Sequence, residues 1–334
     1  PWQALAWCKE WAEYNTARAN GQTYETHLPC ASDGSCNGLQ HLSAMLRDSE
    51  GGKAVNLTPS GEPQDIYADV AKRATELLEK EGTLMARQLL EVGVCRKVTK
   101  RSVMIVPYSG TRHACRAYIQ ESLADKCKGN DPWQGDYFQP ALYLSNFVWQ
   151  AIGEVIVSAF EAMNYIKDIA KLYVDNGLSF YWTTPTNIIV RQYYPNSKKR
   201  RIQSHLNGSI VRLSYREPEE DSIDSRKMLS AASPNFVHSL DAAALTLTVD
   251  NCLDKGITDF AMVHDSYATH SPNMPKLNNE LRSAFVTMYE NNDVLMDLYV
   301  AAVASLPQDV VVPPPPQQGD LNLSDVLLSD YFFA

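Results

Sequence analysis

The sequence holds no C-x-x-C pair, no internal repeat, no apolar run able to cross a bilayer and no excess of positive charge, and each absence closes off a class of function. Its seven cysteines, Cys8, Cys30, Cys36, Cys95, Cys115, Cys127 and Cys252, are odd in number and scattered. That argues against a disulfide framework or a zinc ribbon, and for reduced thiols in a cytosol-like compartment, most of them acting as small buried hydrophobes. The most apolar stretch, Phe147 to Met163, is interrupted by Gln150, Gly153, Glu154 and Glu161, so it cannot face lipid as a spanning helix, and no membrane role is expected. At the amino terminus, Pro1-Trp2-Gln3 has neither an initiator methionine nor the basic-then-apolar layout of a secretory signal. The expectation is a fragment or a processed chain.

What is present is an ordinary globular composition. The 334 residues are 45% hydrophobic and 21% charged, long enough for a large core divided between two intertwined subdomains. The net charge of −9 disfavours a general nucleic-acid sponge, since phosphate binding needs clustered cations. The charge is nevertheless segregated. Basic residues gather at Arg96-Lys97-Val98-Thr99-Lys100-Arg101 and at Lys198-Lys199-Arg200-Arg201, and acids at Glu217, Glu219, Glu220 and Asp221. Such segregation suits a charged channel, although each run by itself reads as solvated surface.

Helical spacing of Tyr67, Val70, Ala74, Leu77 and Leu78 after Glu62-Pro63-Gln64-Asp65 predicts a helix. The apolar positions from Leu142 to Leu172 predict long, mostly buried helical structure. From Leu178 to Ser214 the pattern turns β-branched and aromatic around a polar middle, which predicts a hairpin projecting a basic loop. Pro313 to Pro316 form an extended spacer before a short tail that must dock separately.

Three segments carry chemistry. Asp33-Gly34-Ser35-Cys36-Asn37-Gly38 follows an extended stretch and precedes Leu39, Leu42, Met45 and Leu46 at helical spacing. Asp33 is therefore expected where a strand turns into a helix, although Asp before Gly is by itself the mark of an ordinary turn. Phe260 to Thr269 reads as strand, tight turn and strand, exposing Asp265 at the tip beside His264; His264 is expected to orient or pack rather than to bind magnesium, which prefers oxygen. Arg96 and Lys100 lie one helical turn apart, with Tyr108 about two turns further on. Two cations can hold a triphosphate and neutralise a leaving pyrophosphate, while an aromatic ring at the helix end can border sugar and base.

Together these segments resemble the single-subunit RNA polymerases of phages and mitochondria. That family carries an aspartate motif matched by Asp33 to His41, a fingers-helix motif matched by Arg96 to Tyr108, and a second aspartate motif matched by His264-Asp265-Ser266, in the same order. The likeness continues through Pro234-Asn235-Phe236-Val237-His238-Ser239 and the terminal Ser329-Asp330-Tyr331-Phe332-Phe333-Ala334. Several motifs in order are far more specific than any one of them.

The resemblance implies an α+β fold: a right-hand polymerase palm of antiparallel sheet and helices, with a mainly helical fingers subdomain inserted. The expected division is palm at 1–50 and 239–334, with fingers at 51–238 containing a nucleotide-binding helix at 96–108 and a shortened specificity-type hairpin at about 185–216. It further implies DNA-directed RNA synthesis from ribonucleoside triphosphates. Asp33 and Asp265, with the Gly34 carbonyl, would hold two magnesium ions. Lys100 and Arg96 would contact the triphosphate, with Lys100 also the proton donor to pyrophosphate. Tyr108 and Gly38 would favour ribose, and His238 would touch the minor groove of the growing hybrid. His205 and Asn207 fall in the segment aligned with the promoter-reading hairpin.

Three departures shape these expectations. The fingers helix ends Pro107-Tyr108-Ser109-Gly110, and Pro107 should kink it. The hairpin looks shortened after Asn207, so initiation is expected to need an accessory protein or a melted template. Family members also place an amino-terminal domain, a thumb and a further triphosphate-binding arginine ahead of this stretch, to be supplied by a second polypeptide or by more of a longer chain. The implied partners are DNA template, RNA product and nucleotides, and the implied setting is the cytoplasm of an infected bacterium. A related DNA polymerase, disfavoured by Gly38 and Gly34-Ser35-Cys36, and a non-catalytic nucleic-acid-binding subunit, disfavoured by Asp33, Lys100 and Asp265, are the alternatives.

Overall fold

The computed structural model describes residues 1–128 and 131–333, with Glu220 and Asp221 described by backbone alone. Part of the acidic cluster named above, and Ala334 of the terminal motif, therefore lie outside the described side chains.

Helix α1 (Trp2–Ala19) leads through extended chain to strand β1 (Cys30–Asp33), then helices α2 (Asn37–Leu46) and α3 (Ser49–Ala54). A helical body follows, made of α4 (Ile66–Glu81), α5 (Leu84–Val92), α6 (Arg96–Met104), α7 (Arg112–Lys126), α8 (Phe138–Val155) and α9 (Val157–Asp175). Strands β2 (Phe180–Thr183) and β3 (Ile189–Gln192) form a short hairpin, and β4 (Pro195–Leu206) and β5 (Ser209–Ile223) a longer ribbon. Helix α10 (Ser225–Asp254), strand β6 (Ser266–Thr269), α11 (Met274–Asn291), α12 (Val294–Ser305) and a tail ending in a 3-10 turn (Leu323–Leu328) complete the chain. Helices combined with small antiparallel sheets give the expected α+β class. No helix among the described residues is long and apolar enough to cross a membrane.

Helix starts follow side-chain capping chemistry. Asp65, Thr83, Thr111, Asp224 and Asp293 each accept a backbone N–H in the first turn of α4, α5, α7, α10 and α12, satisfying donors that have no partner inside the helix. Gly82 ends α4 with φ +64°, the left-handed geometry that glycine takes without a steric penalty.

Helix α2 is buried along its whole length and packs against α9 and α10, so it is the axis of the core. Among the described residues α1 buries no side chain, and its Trp7 and Trp11 stack at 5.7 Å in solvent.

Several elements differ from expectation for identifiable reasons. The helix expected over 96–108 stops at Met104 and resumes as a 3-10 turn over Val106–Tyr108, because Pro107 has no N–H to continue the ladder. The segment 142–172 is divided at Ile156 (φ −121°, ψ 48°), within the β-branched run Val155-Ile156-Val157 that resists helical packing of its side chains. The hairpin expected at about 185–216 is two hairpins. The larger has strands of 12 and 15 residues joined by Asn207 (φ +50°) and Gly208 (φ +78°), the pair favoured in tight hairpin turns. The boundary expected after His238 falls inside α10, which runs unbroken for 30 residues.

The carboxyl-terminal tail docks under β1. Gly319 and Leu321 donate backbone hydrogen bonds to Leu46 and Arg47 carbonyls, and the buried Arg282 guanidinium donates twice to the Ser329 carbonyl, at 3.0 and 2.8 Å. Phe332 and Phe333 then enter the core. Phe333 bridges Gly34, Tyr331 accepts from the Ser35 hydroxyl at 2.6 Å, and Gln40 Nε2 donates to the Phe332 carbonyl at 2.9 Å. The tail thus braces the turn between β1 and α2.

Beneath that turn lies a buried polar junction between α2, α10 and α11. Asn37 Nδ2 donates to Asp241 Oδ1 at 2.7 Å, and His41 Nδ1 shares a hydrogen bond with the Tyr289 hydroxyl at 2.7 Å. Burial pushes His41 down to about 3, leaving it neutral, and raises Asp241 to about 6, an effect that Asn37 opposes by donating, Asp265 augments and His264 opposes.

Two stability measurements check this picture. Phe332→Ala, which empties a fully buried aromatic site, should cost about 3–5 kcal/mol in urea denaturation. For Asp241 the native state holds its proton more tightly than the unfolded chain, so ionisation removes stability as pH rises from 3.8 to about 6. Asp241→Asn should therefore raise Tm at pH 8 and change it far less at pH 5.

Candidate active site

Two segments distant in sequence meet through one antiparallel ladder. Strand β1 pairs with β6 in the register Cys30↔Thr269, Ala31↔Ala268, Ser32↔Tyr267 and Asp33↔Ser266. Since Asp33 lies opposite Ser266, it is set beside the neighbouring Asp265, and the Gly34 N–H donates to the Asp265 carbonyl at 3.2 Å. Asp265 sits in a tight turn closed by reciprocal hydrogen bonds between Val263 and Ser266, each 2.9 Å. His264 takes φ +53° in that turn, a left-handed conformation costly for a residue bearing a Cβ. The expected aspartate at a turn tip is observed, although the residues before it do not form a named strand.

Gly34 is held closely. A Cβ there would come within 3.1 Å of Gln40 Oε1 and 3.2 Å of both Asn37 and Phe333. The small residue therefore lets the chain turn directly from β1 into α2 over the docked tail.

Lining the same cavity as the carboxylates is α6, whose Arg96 and Lys100 both approach the Tyr67 ring. The Arg96 guanidinium carbon is 5.2 Å, and the Lys100 ammonium 5.8 Å, from the Tyr67 ring centre, within cation–π range. The α6 face is fixed to α4 by Thr99 Oγ1, which donates to the Tyr67 carbonyl at 2.7 Å.

At the end of α6, Pro107 and Tyr108 lie against the start of α2. A Cβ on Gly38 would fall 2.7 Å from Pro107 Cβ and 3.0 Å from the Tyr108 hydroxyl, so this approach requires glycine. Tyr108 also stacks on His238 of α10, with ring centres 4.6 Å apart and planes 21° apart. Its ring is 36% exposed, but the hydroxyl end points at Gly38 and is desolvated, which raises its pKa; the Asp265 carboxylate adds to the shift. Burial lowers the His238 pKa, with His264 adding to the effect, so its ring favours the neutral form.

These elements enclose one cavity of about 720 Å³, lined by Asp33, Gly34, Gly38, Arg96, Lys100, Tyr108 and Asp265 among others. The sequence-predicted residues thus converge, with His238 just behind Tyr108. His205 and Asn207 do not join them; they lie near the tip of the exposed β4–β5 ribbon. Asn207 is accounted for by the turn geometry alone.

Sequence reasoning passed over other lining residues. Tyr67 was expected only as an apolar helix position, yet both cations lie over its ring; its place two residues after a capping Asp65 is the available signal. Asn37 and Cys36 also line the cavity, and burial raises the Cys36 thiol to about 11, keeping it an inert neutral side chain. Asp241 was missed although it follows His238 by one helical turn.

Asp33 and Asp265 suit a hard divalent cation. Magnesium is commonly bound through one or two carboxylates plus substrate phosphates, and a carboxylate at the end of β1 with one in the turn entering β6, open to a cavity also lined by Arg96 and Lys100, match that donor set. Among the described residues no group of three or more His, Cys, Asp or Glu is arranged to hold a metal by itself, so substrate or solvent oxygens must complete any such site.

Comparison with known proteins gives the same direction. The family model described as DNA-dependent RNA polymerase matches residues 1–312. The chain is 35% identical to the DNA-directed RNA polymerase of Enterobacteria phage T3, all of this chain aligning with 42% of that protein. It is 35% identical to T7 RNA polymerase of Escherichia phage T7, covering 43% of it. It is 33% identical to DNA-directed RNA polymerase 1, mitochondrial, of Nicotiana sylvestris, covering 33%. The chain therefore spans about two-fifths of the length of these phage relatives. With its whole length aligned and its motif residues gathered around one cavity, the chain belongs to the DNA-dependent RNA polymerase family.

Proposed function

We propose that this chain carries the catalytic centre of a DNA-directed RNA polymerase, adding ribonucleoside triphosphates to an RNA 3′ end on a DNA template. The observation that supports it best is the meeting of Asp33 and Asp265, delivered by β1 and β6, with Arg96, Lys100 and Tyr108 around a single cavity. In this reading β1, α2, α10, β6 and the following helices form a palm, and the helical body from α3 to α9, with the two hairpins, forms fingers.

Asp33 and Asp265, with the Gly34 carbonyl, would hold two magnesium ions. When bound, these supply Lewis-acid activation of the attacking hydroxyl and neutralise charge on the triphosphate oxygens. The protein's own groups do the rest. Arg96 and Lys100 place their donors on the triphosphate side of the cavity, where Lys100 is positioned to give a proton to the departing pyrophosphate. Tyr108 borders the sugar and is held by its stack on His238. Gly38 leaves open the space above α2 where a side chain would meet both Tyr108 and a ribose hydroxyl. His238, neutral and aromatic, faces the expected path of the hybrid minor groove, where contact checks pair shape without reading sequence.

The β4–β5 ribbon extends the proposal to template DNA. Cross-strand pairing puts Lys199, Arg201, Gln203 and His205 on the same face as Arg216, Ser214, Arg212 and Ile210, eight positions that include four cations and no acid. A two-stranded ribbon is narrow enough for the major groove. Promoter selection would then rest on this face, aided by an accessory initiation protein or a melted template. The thumb and amino-terminal domain would come from polypeptide equivalent to the remaining length of the relatives. The phage likeness supports action in the cytoplasm of an infected bacterium.

Extension of an RNA primer on a DNA template with magnesium and ribonucleotides, by the chain together with its co-purifying partners, tests the assignment. Asp265→Asn should lower the rate by about 10³-fold or more, the consequence of losing several kcal/mol of charge stabilisation; hybrid binding without extension in the parent protein would instead support a non-catalytic subunit. Gly38→Ala should push Tyr108 off His238, slowing ribonucleotide incorporation roughly tenfold, as about 1.4 kcal/mol of misplacement would. Equal use of deoxyribonucleotides by the parent protein would favour the DNA polymerase alternative.

A further inference from the structure

Asp65 performs two tasks at once. Its Oδ1 caps α4, accepting from the Tyr67 N–H at 3.1 Å and the Ala68 N–H at 3.3 Å. Its Oδ2 accepts a hydrogen bond from Arg96 Nε, forming an ion pair across the α4–α6 junction. With Nε engaged, the rotation of the Arg96 guanidinium is set, its carbon lies 5.2 Å from the Tyr67 ring centre, and both terminal nitrogens remain free of the Asp65 contact. Arg96 lines the same cavity as Asp33, Lys100 and Asp265. Thr99 Oγ1, bonded to the Tyr67 carbonyl, locks the register between the two helices, so the position of Asp65 relative to Arg96 is fixed by more than the ion pair.

We infer that Asp65 is a positioning residue for nucleotide binding, holding Arg96 over Tyr67 so that its two terminal nitrogens are presented to the triphosphate. The inference rests on the polymerase reading above. Arginine carries rotamer entropy that must be lost on binding, and a partner that orders it beforehand removes part of that cost. The ion pair itself is half in solvent and contributes little to folding. Its role is orientation, so an effect is expected on nucleotide affinity rather than on the chemical step.

The capping role is separable from the positioning role. Asn caps a helix as well as Asp, but its one carbonyl oxygen cannot serve both the α4 backbone and Arg96. Four proteins are compared: the parent chain with its co-purifying partners, Asp65→Asn, Arg96→Ala and the double variant. Two readouts are taken: KM and kcat for GTP in primer extension, and equilibrium affinity for Mg·GTP by calorimetry, which needs no turnover. Asp65→Asn should raise KM and Kd about fivefold, the most that losing an exposed ion pair's orientation yields, with kcat and Tm unchanged. In the Arg96→Ala background it should add nothing, because Asp65 acts through that arginine. An unchanged or lowered Kd in Asp65→Asn, or an equal rise with Arg96 already removed, overturns the inference, as does a parent protein that does not bind Mg·GTP. A parent protein that binds nucleotide but extends no RNA would overturn the polymerase reading and leave the calorimetric comparison to decide the role of Asp65.

Discussion

Four cross-strand pairs between β1 and β6, from Cys30↔Thr269 to Asp33↔Ser266, bring the two aspartates together, and the remainder of the architecture can be understood as support for that short ladder. A two-stranded sheet of four-residue strands is marginal in water by itself. It persists here because it is packed from several sides. Tyr267 is buried and meets Phe333 edge-on at 5.3 Å, Phe332 packs on Phe285 at 4.9 Å, and the fully buried α2 fills the space behind the turn. The pairing is also far from local, so forming it costs loop-closure entropy that the packing around it must offset.

That arrangement concentrates unfavourable terms around the candidate site. His264 holds a left-handed backbone at the turn beside Asp265. Among the described residues Ser32 Oγ, Gln40 Oε1 and His41 Nε2 are buried without a hydrogen-bond partner, and all three belong to the segment that carries Asp33. The buried Asp241 carboxylate lies 4.0 Å from His41 Nε2. Departures of this kind from full polar satisfaction are expected where geometry is maintained for chemistry rather than for stability. The surrounding core, with its capped helices and docked tail, offsets them.

How much of this could be read in the sequence depended on whether a feature was local. The Asp33 turn, the Asp265 tip, the α6 cation pair and the break at Pro107 each follow from a few adjacent residues, and each is found in its expected place. The β4–β5 ribbon was visible only in part, since Asn207-Gly208 marks its turn but nothing marks where such exposed strands end. Tyr67 was hidden because a buried aromatic at helical spacing reads as core. Asp241 and the tail aromatics were hidden because their meaning lies in non-local contacts: Asp241 with Asn37, and Phe332 and Phe333 with the Gly34 turn. The division at His238 looked natural on motifs, but a 30-residue helix carries the chain across it.

On the proposed reading, Asp33 and Asp265 together hold two divalent cations because β1 and the turn entering β6 set them side by side. Manganese binding followed by electron paramagnetic resonance, in the presence of a non-hydrolysable ribonucleoside triphosphate, tests that claim without requiring catalysis. Two ions per chain are expected in the parent protein, with loss of binding in both Asp33→Asn and Asp265→Asn. Undiminished stoichiometry and affinity in either variant would contradict it.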